Sequence, residues 1–145
     1  MITVSAAGMN DVFARFQALE DTVQTQAVRL LADKVFADVQ DGADAHTKNG
    51  QLARSVKIQS IQDGYEIFHD LQHAPYAPFV HWGTRPHDIR PKNKKALRWA
   101  NDGQFIFAKF VRHPGYAGDA YLVKAAQEAP RHMADILNQL SRSLT

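Results

Sequence analysis

The sequence predicts an α+β fold, with a long N-terminal helix and a C-terminal helix packed on a small, mainly antiparallel β-sheet. Three observations lead there. Apolar residues recur at helical spacing early in the chain and again at its end, polar and apolar residues alternate in the middle, and the repeated βαβ units of parallel-sheet enzymes are missing. With 145 residues, 45% of them hydrophobic and 22% charged, the chain has the size and balance of a single domain, 1–145, with one hydrophobic core. No repeat, linker or low-complexity segment divides it.

Ile2-Thr3-Val4-Ser5 alternates and is β-branched, which predicts a short strand before Gly8. Asn10 is a good N-cap, and Val12, Phe16, Leu19, Val23, Ala27, Leu30, Leu31, Val35 and Val39 then keep helical spacing with no Gly or Pro between them. One helix over residues 10–40 is expected. At 1.5 Å per residue it would reach about 43 Å, longer than the ~38 Å diameter of a globule this size, so part of it should project or meet a neighbour. Asp41-Gly42-Ala43-Asp44 should end it, and Thr47, Lys48, Asn49 and Gly50 should form a mobile loop available to an interface.

Residues 55–61 alternate, Asp63-Gly64 supplies a turn, and residues 65–69 return as the second strand of a hairpin. Tyr76, Phe79 and Val80, at i, i+3 and i+4, predict a short aromatic helix closed by Gly83. A Pro-rich connector follows, then a second short helix over 92–99 and a turn at Asn101-Asp102-Gly103. Residues 104–111 read as a strand with Phe105 and Phe107 on one face and Ile106, Ala108 and Phe110 on the other, both faces expected to be covered. Residues 121–140 form an amphipathic helix, with a kink or restart expected at Pro130.

The chain has no cysteine, which excludes disulfides and thiol chemistry and fits a reducing compartment. The opening MITVSAAGMND lacks a basic, apolar leader, and no stretch approaches the ~20 apolar residues of a membrane span. A soluble intracellular product is expected. Catalytic signatures are absent too: there is no Gly-x-Ser-x-Gly elbow, no Gly-x-Gly-x-x-Gly and no Walker pattern, so neither an enzyme nor a cofactor is expected. The best metal candidate is His69-x3-His73, with His81, His87 and His113 nearby. It falls on a strand end and a loop and lacks a His-Glu-x-x-His pattern, so these residues read as solvated or core-edge histidines and no metal is expected.

Residues 1–70 carry six Lys/Arg against ten Asp/Glu, and residues 71–145 carry eleven against five, so the halves are −4 and +6. Such asymmetry suits attraction between unlike faces of neighbouring subunits, or between a basic face and a polyanion. Most of the excess lies in Arg85, Arg90, Lys92, Lys94, Lys95 and Arg98, opposed within that run by Asp88 alone and flanked by Trp82 and Trp99. This run could hold phosphates independently of base sequence, or form salt bridges to another subunit.

Tyr76-Ala77-Pro78-Phe79-Val80-His81-Trp82-Gly83-Thr84 resembles the Tyr-Ala-x-x-Val-Glu-Phe/Tyr-Gly-Thr signature of a tail-component family of long-tailed bacteriophages and prophages. The residues from Arg85 to Leu97, then Phe107-Ala108-Lys109 and Val111-Arg112-His113-Pro114-Gly115, are similar to a version with an insertion after the Gly-Thr. Upstream, TKNGQLARSV (47–56) resembles the family's Thr-Gly-x-Leu-x-x-Ser-Ile/Val segment. In two places the chain departs from the pattern: His81 stands where an acidic residue is usual, and Asp119-Ala120-Tyr121-Leu122 replaces Arg-Pro-Phe-Leu.

The resemblance implies a virion protein of the neck, a connector that completes the tail and joins it to the DNA-filled head. It implies a homo-oligomeric ring, often a hexamer, contacting head-closure, tail-terminator or tail-tube proteins, with DNA passing through the lumen unread. Tyr76, Phe79, Val80 and Trp82 are expected to anchor the core or its edge. The alternative is a sequence-independent nucleic-acid-binding module using residues 85–98.

Overall fold

The computed structural model describes residues 10–143. The strand expected at Ile2-Thr3-Val4-Ser5 lies outside them. The first helical stretch is two helices, α1 (Asn10–Gln17) and α2 (Asp21–Asp44). The chain turns between them because the Gln24 side-chain amide donates to the carbonyls of Leu19 (2.9 Å) and Phe16 (3.2 Å), groups that a continuing helix would have bonded internally. α2 alone has 24 residues, about 36 Å of helix. That matches the diameter of the fold, so helix length gives no ground for projection.

Gly42 does not end α2 but lies inside it. A Cβ there would stand 2.5 Å from Cβ of Tyr121, so the glycine lets the last helix, α5 (Tyr121–Ser143), come close. α5 runs unbroken through Pro130. It is antiparallel to α2: Val39 and Ala43 of α2 cluster with Tyr121, Leu122 and Ala125 at the start of α5, whereas Ala27 clusters with Met133, Ile136 and Leu137 near its end. His132 reinforces the pair by meeting Asp38 at 2.7 Å. None of the described helices is long and apolar enough to cross a membrane.

A four-residue helix, α3 (Gln51–Arg54), follows the expected loop and carries Leu52 into the core at 0% exposure. The loop itself is tied down: Asn49 accepts the Gln51 N–H at 3.1 Å, and the Gln51 side chain donates to the His73 carbonyl at 2.6 Å. Thr47 and Gly50 are half-buried, while Lys48 and Asn49 are exposed. The hairpin β1 (Val56–Ile61) and β2 (Gly64–His69) forms as expected, in register from Val56–His69 to Ile61–Gly64, and it packs on α2.

The fold is α+β, with helices packed mainly on one another and the strands of the described residues divided into three two-stranded antiparallel ladders. After the short helix α4 (Ala77–Trp82) come β3 (His87–Ile89), β4 (Leu97–Asn101), β5 (Gln104–Ala108) and β6 (Val111–His113). β3 pairs with β6 and β4 with β5, so residues 84–116 make one two-tiered arm rooted in the Thr84–Tyr116 bridge. The helix expected over 92–99 is absent. Asp102 (φ 50) and Gly103 (φ 80) both take positive φ, forming the tight turn whose twist suits a hairpin, and this draws Leu97–Asn101 into pairing with Gln104–Ala108.

Candidate functional site

The motif residues of α4 divide between two faces. Ala77 and His81 are buried at 0% and 1% exposure, and Val80 packs against the core. Tyr76 (39%), Phe79 (58%) and Trp82 (57%) point outward. The expectation that these aromatics anchor the core or its edge is therefore corrected for the core: none of the three is buried in it. Small Ala74 and Ala77 fill that space instead, beside Tyr121.

His81 explains its place in the motif. Its Nε2 accepts the backbone N–H of Leu122 at 3.2 Å, satisfying one of the unpaired donors at the start of α5. A carboxylate in its place would also accept such a bond and would favour the positive end of the helix. Burial holds the His81 pKa below its ordinary value, which keeps Nε2 free to accept. Nδ1 has no hydrogen-bond partner among the described residues, and neither has the buried Thr84 Oγ1.

Gly83 and Thr84 then join α4 to the arm. Gly83 adopts φ 86 and ψ 180, a conformation essentially confined to glycine, and a Cβ there would come within 2.3 Å of the Tyr116 carbonyl oxygen. On the facing strand, Gly118 lies as close to Gly83 and Gly115 to Thr84. The motif's Gly-Thr thus permits two backbones to touch where the arm leaves the body.

From Trp82 to Ala120 no residue is buried. All six basic residues of the candidate run lie in or at the root of the arm. Arg98 lies over the Phe105 ring at 4.6 Å and Arg90 over Phe110 at 4.9 Å. Lys92, Lys94 and Arg98 border a hollow of about 720 Å³ against Phe107, and Arg85 borders another of about 560 Å³ with Phe79 and His87. Lys92, Lys94 and Lys95 form no ion pair among the described residues. Asp88 is taken by Arg112 at 3.1 Å.

The arm also exposes Trp99 (41%), Phe105 (62%), Phe107 (65%) and Phe110 (49%). Arg98 pairs with Phe107 and Ala100 with Phe105, while Trp99 pairs with Ile106 and Leu97 with Ala108. Apolar side chains therefore occupy both faces, as the alternation indicates. The body covers neither face, which corrects the expectation of a covered strand.

A second constellation went unnoticed in the sequence. Ser55, His69 and Tyr121 form a buried chain, with Ser55 Oγ 2.7 Å from His69 Nδ1 and the Tyr121 hydroxyl against Nε2. Ser55 also donates to the Leu52 carbonyl at 2.6 Å, so its single hydrogen is spent. His69 must then donate from Nδ1 to Ser55 and accept from Tyr121 at Nε2. Burial, with a contribution from His81, lowers the His69 pKa to about 4, and burial raises that of Tyr121, as this neutral chain requires.

Ser55 is 0% exposed. A substrate cannot reach it, and its hydroxyl is not available to attack one, so the Ser–His pair is structural. Beside it, His46 Nε2 donates to Asp119 at 2.6 Å, and Lys124 pairs with the same carboxylate. His69 is thus committed to Ser55 and Tyr121, while His73 meets Asp70 at 3.2 Å on the surface. His87 and His113 stack across the β3–β6 ladder with centroids 4.9 Å apart. Among the described residues, no group of three or more His, Asp or Glu side chains is placed to hold a metal ion. Compared with family models, curated proteins and solved structures, the chain matches none.

Proposed function

We propose that this chain is a structural virion protein, a ring-forming subunit of the phage neck or tail end that completes the tail and joins it to the DNA-filled head. The observation that carries the proposal is the arm: a stretch without a buried residue that nevertheless displays Trp99, Phe105, Phe107 and Phe110. A two-stranded ladder with apolar side chains on both faces is marginal in water and gains its stability from whatever covers it. The resemblance at residues 76–84, and the unlike charges of the two halves, supply the identity of the assembly and its mode of attraction. Catalysis has no part in this role. The ring, a hexamer by resemblance, would contact head-closure, tail-terminator or tail-tube proteins and let DNA pass through without reading it.

The test is mass measurement and electron microscopy of the purified protein, alone and mixed with tail tubes. Closed rings seated on tube ends are expected, and a protein that stays monomeric and unbound would overturn the proposal. One observation favours the alternative of a nucleic-acid module: the hollow where Lys92, Lys94 and Arg98 surround Phe107 pairs cations with an aromatic face, as single-strand binders do. Salt-sensitive binding of short DNA by the isolated monomer would support that alternative.

A further inference from the structure

We infer that the β4–β5 tip of one copy seats in an acidic groove at the α1–α2 corner of the next copy, making a head-to-tail contact. The inference rests on the ring proposed above and names the two surfaces that build it. The groove has a volume of about 520 Å³ and lies between α2 and the tip of the β1–β2 hairpin. Phe16, Val28, Ile61 and Tyr65 give it apolar walls, Asp21 and Asp63 give it negative charge, and no Lys or Arg lines it. Ile61 is 49% exposed, a large apolar side chain that the chain itself leaves uncovered. A second hollow of about 700 Å³ continues along α2 past Leu30. Arg29, at that end, is held by Asp33 at 3.2 Å.

The arm complements this groove in both respects. Its aromatic faces match the apolar walls, and residues 85–112 carry eight Lys/Arg against two Asp. Arg98 and Phe107 are cross-strand partners of the β4–β5 ladder, and Arg98 lies over Phe105 on the same face, so one side of the hairpin brings a cation and two rings together.

The arm is not docked on its own groove, since none of the residues lining it belongs to the arm. The arm leaves the body where Gly42 meets Tyr121 and His81 caps α5. The groove begins at Asp21, twenty-one residues earlier on α2 and therefore about 30 Å away along the helix. Neither ladder of the arm packs extensively on any helix of its own chain. Two unlike surfaces at opposite ends of a subunit make a heterologous contact, and such contacts generate rings when the rotation closes.

The absence of cysteine makes a direct test available. Phe107→Cys and Ile61→Cys are placed in separate full-length chains, assembled on tail tubes together or singly, and oxidised. Both positions are exposed, so each variant should melt with the parent protein. A disulfide-linked dimer is expected in the mixture and not in either variant alone. Asp63→Arg should lower the yield of rings roughly tenfold, the scale of one close charge pair, and adding Arg98→Asp to the same chain should restore it.

Full-mass rings that neither form the 61–107 bridge nor respond to Asp63→Arg would overturn the inference and leave the ring standing. Bridges equally strong in a single variant would overturn it too. Failure of the parent protein to form rings on tubes would remove the ring, and this contact with it. Protection of the arm by short DNA on the monomer at moderate salt would overturn it in favour of nucleic acid.

Discussion

The α2–α5 body and the 84–116 arm are built on opposite terms. In the body, small and medium apolar residues such as Ala27, Val39, Leu52 and Leu137 are buried against each other, and the one large polar chain is closed at every donor. In the arm, the largest side chains are outside, and backbone pairing, a tight turn and surface contacts such as Arg112–Asp88 and His87–His113 hold the strands. The body therefore supplies its own cover, whereas the arm leaves its large apolar side chains uncovered. The lesson is that aromatic content says little about a core until the cover on each face is known.

Body and arm should differ most in how much a substitution costs. The largest effect is expected for Leu52→Ala: removing a fully buried side chain should cost roughly 3 to 5 kcal/mol by chemical denaturation. Next comes acid. The unfolded chain takes up a proton on His69 near pH 6.5, but the folded chain does so only near 4. Its contribution is thus complete above pH 6.5 and is lost as pH falls toward 4, by at most about 3 kcal/mol. His81 is shifted the same way and adds to the loss. Urea midpoints across that window, with the ring titration followed by NMR, check the sign and the residue.

At the junction, Gly83→Ala forces a Cβ against the Tyr116 carbonyl and should cost about 1 to 3 kcal/mol, seen as a lower melting temperature. The smallest stability effect is expected in the arm and on the outer face of α4. Phe107→Ala and Phe79→Ala should each change stability by less than ~0.5 kcal/mol, as exposed substitutions do, yet reduce ring formation on tail tubes. A large drop in melting temperature for either would break the contrast.

Much of the body was legible in the sequence because helical and strand periodicities are local. The hairpin turned where Asp63 lies, and most of the α5 stripe became a buried face, whereas on α2 Ala27 and Val39 are buried but Leu30 is exposed. The break at residues 18–20 was not legible, since no Gly or Pro marks it and the Gln24 side chain that donates to the freed carbonyls bonds outside any simple pattern. α3 is too short to leave a period. Residues 92–99 contain good helix formers, Lys, Ala, Leu and Arg, whose propensity yields to the pairing set by Asp102-Gly103.

The candidate site was readable only in part. The sequence located the basic run and the aromatic motif, and alternation correctly sorted Phe105 and Phe107 from Ile106 and Ala108. Alternation does not reveal whether anything covers a face. On α4, hydrophobicity favoured Phe79 and Trp82 for burial, but the fold buries Ala77 and His81 because Tyr121 and the start of α5 approach that side.

The proposed assembly requires that a partner order the arm and leave the body as it is. Hydrogen–deuterium exchange of the same protein, free and assembled on tail tubes, tests it most directly. In the free protein, amides of residues 97–108 should exchange quickly and those of α2 and α5 slowly. On assembly the arm should slow by roughly a hundredfold while the buried helix amides stay unchanged. An arm already as protected as α2 in the free protein, or one unchanged on assembly, would contradict the account.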